Sequence, residues 1–305
     1  MLADNVLEAL WFGEDDSDAA EAKAAQSAAA ELASTIGLKP FPAVAHELIG
    51  MLDRDDYALR NIVAAFDRDP GLASRVLRLS NSGFFHTQTP VTSVRSAIVR
   101  LGAQNVRDLV AAAAVHGLFE DAGEVGQRLL EHAIATGAIA RQLCLQLGLE
   151  LAPEAYVAGL LHDIGKLLML QAFGEEYDAS ERYDNGIAVE REARGYDHAL
   201  LGAVACAEWN LPAPFADAIR MHHDFGRALT HPQPRFTQLV AILRLADRLE
   251  HAAYDHEITG AKDPEVIAFE LARRSDASYL QAGEEVFLAA WDAAIEARFD
   301  ARSAA

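Results

Sequence analysis

The chain has 305 residues, 51% of them hydrophobic, with 26 Lys plus Arg against 46 Asp plus Glu and a net charge of −20. That length supports one large core or two smaller ones, while the charge repels phosphate backbones and anionic lipid and so excludes general nucleic-acid and membrane binding. Cys144 and Cys206 form no CxxC pattern and read as buried thiols of a reducing compartment, and the acidic start "MLADNVLEALWFGEDD" lacks a signal peptide's basic opening, so a cytoplasmic location is expected.

In chain order, helical periodicity dominates and strand alternation is missing. An Ala-rich acidic segment at 18–33 reads as a helix packed loosely on the body, or partly frayed. In "DPGLASRVLRLSN", Asp69 is the expected N-cap, Pro70 the first helical residue, and Leu72, Val76 and Leu79 the buried stripe. "TSVRSAIVRLG" repeats the scheme with Thr92 or Ser93 as cap, Val94, Ile98 and Leu101 as stripe, and Gly102 at the exit. Between them, "SNSGFFHTQTP" reads as a loop with turn chemistry at Asn81, Ser82 and Gly83.

The polar link "EDAGEVGQ" at 120–127 is the expected boundary between two helical halves. Beyond it, a long helix carries Val125, Leu129, Thr136, Ile139, Leu143 and Leu147 on one face, with His132 among them. Residues 175–197 are highly charged and read as a surface excursion. The predicted architecture is therefore all-α, a two-lobed helical bundle. Its parts are an N-terminal acidic helical extension (1–35), an N-terminal helical lobe (36–120), a second lobe carrying the candidate metal site (121–260) and a C-terminal helical extension (261–305).

The apolar run 157–170 is too short to span a bilayer and is broken by His162, Asp163 and Lys166. An ionised carboxylate in such a segment needs a partner. The second half offers His132, His162, His198, His222, His223 and Asp247, each on or at the end of a predicted helix. Packed helices can bring such residues to one point, and imidazoles with two carboxylates suit one first-row divalent metal or a pair bridged by Asp163. Gly165 would let the backbone close in beside that point, and Lys166 would lean toward a bound anion such as phosphate. Competing readings are open: Arg141, Arg220 or Arg244 holds the buried aspartate, and Lys166 snorkels from a helix end. His46, His86, His116, His231, His251 and His256 read as core or boundary histidines.

The order His132, then His162-Asp163, then Asp247 resembles the HD superfamily of metal-dependent phosphohydrolases. The first half narrows this, because "LKPFPAVAHELIGMLDRDDYALRNIVAAFDRDPGLASRVLRLSNSGFF" and "TPVTSVRSAIVRLGAQNVRDLV" are similar to the start of the HDOD domain, the HD-related output domain of bacterial signalling proteins. "YDHALLGAVACAEWNLPAPFADAIRMHH" is similar to its distal part, and the resemblance covers residues 36–250. It implies a regulatory output module acting through contact with a signalling protein partner, with a nucleotide or cyclic dinucleotide as the ligand class. The implied metal ligands are His132, His162, Asp163, His198, His222, His223 and Asp247, for one or two divalent ions, iron or manganese ahead of magnesium or zinc. The alternative it implies is a metal-dependent phosphohydrolase, a phosphodiesterase or nucleotidase, with Asp163 and Lys166 in catalysis. Two departures point to weak or narrow activity. The GYP signature of the cyclic-di-GMP phosphodiesterase branch is replaced after His223 by "DFGRALTHP", and Arg128 stands where some members of that branch place a glutamate.

Overall fold

A computed structural model of the chain describes residues 16–52, 58–81, 90–119, 122–174, 177, 186–260 and 262–304. The regular secondary structure of the described residues is entirely helical, with no strand among them, in accord with the predicted class. The first helices are α1 (Asp16–Thr35), α2 (Ala43–Leu52), α3 (Leu59–Phe66), α4 (Pro70–Ser80) and α5 (Val94–Phe119). Next come α6 (Gly123–Gln146), α7 (Ala152–Leu161), α8 (Ile164–Phe173), α9 (Gly186–Arg194), α10 (His198–Glu208), α11 (Ala213–Met221), α12 (Phe225–Ala228) and α13 (Pro234–Thr259). The chain closes with α14 (Pro264–Ala272), α15 (Ser275–Leu280) and α16 (Glu284–Ala304).

Local chemistry sets the ends of these elements. The Asp69 carboxylate accepts from the Leu72 amide at 2.9 Å, Pro70 opens α4, and Leu72, Val76 and Leu79 are buried. At the start of α5 the cap is Ser93, whose hydroxyl accepts from the Ser96 amide at 3.1 Å. Gly102 does end one helical run, but the next begins at once: its φ of 82° and ψ of 166°, open only to glycine, put a kink inside α5 instead of a loop. The loop residues 82–89, including His86, Ser82 and Gly83, lie outside the described residues, as do 120, 121 and most of 175–185.

Helix α1 is seated more firmly than its composition suggests. Ala22, Ala29 and Ala33 are buried and the helix packs on α10, because small side chains let the two backbones approach. Nearby, the Trp209 indole donates to the Lys39 carbonyl at 3.0 Å.

The apolar interior falls into two main clusters. One joins the helices before α6 to α8, α10 and the near part of α6 through Leu109, Leu130, Leu161 and Leu201. The other joins the far part of α6 to α13 and the last helices through Leu143, Leu245, Leu271 and Phe287. Helices α6 and α7 contribute to both, and the candidate site is built where they do so. No helix among the described residues is long and apolar enough to cross a membrane.

Candidate metal centre

Two close helix crossings assemble the site. A Cβ on Gly159 of α7 would stand 2.5 Å from the Gly137 Cα of α6, and one on Gly165 of α8 would stand 1.9 Å from the His198 carbonyl oxygen. Only glycine permits either approach. The first crossing sets the end of α7, with His162, against His132 of α6; the second sets Asp163 and Lys166 against the start of α10, with His198. Asp197 caps α10 by accepting from the Leu200 amide at 2.7 Å, which fixes where His198 begins the helix. His222 and His223 follow the last residue of α11, and Asp247 projects from α13.

All seven residues expected to converge do so around Asp163. One carboxylate oxygen, Oδ2, lies 3.4 Å from His132 Nε2 and 3.4 Å from His162 Nε2. The other, Oδ1, lies 3.2 Å from His198 Nε2 and 3.7 Å from His222 Nε2. Asp247 Oδ1 closes the first group at 3.3 Å from His132 and 3.6 Å from His162. His223 closes the second, with its Nε2 3.0 Å from that of His198. Donor atoms of His132, His162 and Asp247 lie within one 4.8 Å group, and those of Asp163, His198, His222 and His223 within another.

Four imidazoles are fixed by their outer nitrogens. His162 Nδ1–H donates to the Gly159 carbonyl at 2.8 Å, and His222 Nδ1–H donates to the Ile219 carbonyl at 2.6 Å. His198 Nδ1–H donates to the Glu190 carboxylate at 2.7 Å, and His132 Nδ1–H donates to Glu250. With Nδ1 committed as donor, Nε2 of each neutral ring is a lone pair aimed inward. The Nε2 atoms of His132 and His162 are 3.1 Å apart, so either a proton shared between the rings or a metal cation must separate their lone pairs. His222 Nε2 is buried without any hydrogen bond, and the buried Asp163 Oδ1 has His198 Nε2 as its near neighbour at 3.2 Å. An orphaned acceptor and facing lone pairs are what a cation site needs, and the mixed nitrogen and oxygen donors suit a divalent metal.

Charges in the cluster pull in opposite directions. Burial opposes ionisation of Asp163, but His162 and Lys166 outweigh it and hold its carboxyl well below the usual range. Burial also opposes a charge on His198; Glu190 and Asp163 overcome that and the repulsion of Lys166, lifting the imidazole to about 9. At His222, burial, His162 and His198 act together and press its pKa down to about 3.

The competing readings resolve by geometry. Arg141 is paired with Asp108, Arg220 with Asp197 and Arg244 with Asp276, so none of the three holds Asp163. Lys166 does not snorkel: it is only 5% exposed, and its ammonium lies 2.5 Å from Asp163 Oδ2. His251 is more than a boundary histidine, since its ring stacks on His132 with centroids 4.8 Å apart and its Nε2 is 3.3 Å from Asp247. Glu190 and Glu250 were not singled out by the sequence, nor was the Tyr177 hydroxyl that donates to Glu190 at 2.9 Å. Tyr177, Glu190, Tyr196 and Asp197 are buried, so those parts of the charged stretch 175–197 are structural and not a surface excursion. For His251, the i,i+4 step from Asp247 is the signal the sequence offers.

An HDOD domain family model matches residues 38–225. The chain is 26% identical over 227 residues to an uncharacterized protein of Treponema pallidum (strain Nichols), covering 72% of this chain and 43% of that protein, so it spans less than half the length of this curated relative. Among solved structures, it resembles an HDOD domain protein of unknown function from Geobacter sulfurreducens, with a TM-score of 0.74, 23% identity and coverage of 93% of this chain and 99% of that one. It also resembles a proposed signal transduction protein from Marinobacter aquaeolei VT8, with a TM-score of 0.60, 22% identity and coverage of 92% and 68%. At these identities the two structures share the fold.

Proposed function

Because the chain belongs to the HDOD domain family, we propose that it is a signalling output module that acts through a protein partner and whose histidine–aspartate cluster holds one or two divalent ions. His132, His162, Asp247 and Asp163 would hold one ion, and His198, His222 and His223, again with Asp163, a second. The observation that carries the reading is the common orientation of four imidazoles: each is tied at Nδ1, and each turns Nε2 toward one carboxylate. Iron or manganese suits that donor set better than magnesium, which favours oxygen and keeps several waters.

A divalent ion in such a site supplies Lewis-acid activation of water and offsets charge on a phosphoryl oxygen. The chain's own residues supply orientation. Gly159 and Ile219 carbonyls fix two imidazoles, Glu190 and Glu250 fix two more, and Asp163 spans the halves. Lys166 balances the Asp163 charge in a buried setting. The acidic surface favours a partner protein with a basic face over nucleic acid. A phosphohydrolase acting on a nucleotide or cyclic dinucleotide is the second reading, favoured by the completeness of the donor set, with Asp163 and Lys166 at the reacting centre.

Elemental analysis of protein purified without chelator, followed by incubation of Mn- or Fe-loaded protein with cyclic dinucleotides, nucleoside monophosphates and a generic phosphodiester, separates the readings. The expected result is bound metal and turnover below about 1 s⁻¹, the lower end of ordinary enzyme rates. Faster metal-dependent turnover that is lost in His162→Ala would make the hydrolase reading the right one. Protein that takes up no metal would remove the metal centre altogether.

A further inference from the structure

The four tethered imidazoles divide into two kinds. His162 and His222 are held by carbonyls three residues back in their own chain segment, so their orientation is built in locally. His132 and His198 depend on carboxylates from other elements. For His132 the dependence extends further. Glu250 is 1% exposed and receives His132 Nδ1–H on Oε2, while its Oε1 accepts from the Arg298 guanidinium of α16. Arg298 is itself buried, reaches Glu257 at 3.2 Å through Nε, and lies over the Tyr254 ring at 4.5 Å from its centroid.

We propose that Arg298 is a positioning residue for the candidate metal centre: through Glu250 it fixes the ring of His132, so that the C-terminal helix α16 completes the half of the site formed by His132, His162 and Asp247. The inference rests on the metal-centre reading above. Its physical basis is the carboxylate between the two groups. A buried glutamate that loses its guanidinium has one oxygen unsatisfied and is no longer held in place, and it turns to find another partner. That turn releases His132 Nδ1–H, and with it the inward aim of Nε2. Helix α16 lies beyond residues 38–225, which the family model matches. It is anchored by Phe287, Ala290, Trp291 and Ala294 in the cluster that also contains Leu143 of α6 and Leu249 of α13. A partner that shifts α16 would therefore act on the site through Arg298 as well as through the packing of α16 on α6.

The test measures Mn²⁺ affinity of the full chain by calorimetry for wild type, Arg298→Met, Arg298→Lys, Glu250→Gln and the Arg298→Met/Glu250→Gln double variant. Circular dichroism checks that each is folded. Arg298→Met should weaken binding about 10–100-fold, the usual effect of losing a group that orients a metal-ligating histidine, and Arg298→Lys should recover part of the loss. In the Glu250→Gln background, the Arg298→Met change should add less than about threefold, because the relay is already broken. A purely structural role for Arg298 would give independent, additive losses and would overturn the proposal. Should Arg298→Met fail to fold, Glu250→Gln alone decides: affinity equal to wild type overturns the relay, and a loss of about tenfold or more supports it. Wild type that binds no Mn²⁺ sinks the metal-centre reading and this inference together, whereas wild-type binding that the variants leave intact sinks this inference alone.

Discussion

Lys166 and Asp163 are one helical turn apart, and both are almost completely buried, so Lys166 joins His162 in offsetting the cost of taking the Asp163 charge out of water. Breaking one side of a buried pair costs about 3–5 kcal/mol because the remaining charge has no solvent. Lys166→Met should therefore lower the thermal midpoint of metal-free protein markedly, and added Mn²⁺ should restore more of the loss than it adds to wild type, since a cation beside Asp163 replaces the ammonium. Melts of both proteins with and without Mn²⁺ check this; an equal metal-induced gain in the two would contradict it. A second titratable group lies away from the cluster. Burial lifts the Asp217 carboxyl on α11 to about 6, against the opposing charge of His231. An acid whose folded pKa is raised adds stability in its neutral form, fully present below the unfolded value near 3.8 and lost as pH rises through about 6. Asp217→Asn should accordingly stabilise the protein by about 1–2 kcal/mol at pH 7.5, after solvent screening, and change little below pH 4. Urea titrations at the two pH values give the comparison.

Among the elements, the glycine crossings decide whether the site forms. At Gly165 the obstacle to a side chain is the His198 carbonyl and the Gly202 amide, which are backbone and cannot rotate away. At Gly202 the nearest obstacle is a methyl group of Ile219 at 3.1 Å, which can give by a few tenths of an ångström. Gly165→Ala should thus destabilise by at least the 1–3 kcal/mol typical of overpacking and reduce metal stoichiometry, while Gly202→Ala should do much less. Denaturant midpoints and metal content measured on both variants test the ordering; the reverse order would mean that α8 and α10 do not set the site. The sequence made part of this legible. Asp69 and Pro70 announce the start of α4, and the seven residues of the cluster stand out because five histidines and two aspartates lie on or at the ends of apolar helices. Glu250 and Arg298 were not legible, since charged residues in "RLEH" and "EARFDARS" have the look of a solvated helix face. Their burial is decided by which helices pack together across separations of 118 residues for His132–Glu250 and 48 for Arg298–Glu250, and helical periodicity carries no signal of that range.

At the scale of the whole molecule, the two lobes expected at 36–120 and 121–260 share an apolar cluster that runs from Leu48 and Leu109 to Leu161 and Leu201. The second cluster ties α6 and α7 to α13 and to the last helices. The candidate ligands are distributed over both, with Asp163 and His198 on elements of the first and Asp247 on an element of the second. Ions held by the two groups, with Asp163 common to both, would link the clusters, so their binding free energy would add to the stability of the entire fold and not of one lobe. At 100 times the dissociation constant, that contribution is about 2.7 kcal/mol. Calorimetric scans in Mn²⁺ should then show a single transition displaced upward by several degrees as a unit and returned to its starting position by chelator. Two transitions, of which metal moves only one, would assign the centre to one independently folding lobe and would remove the route by which α16, at the far end of the chain, reaches the site.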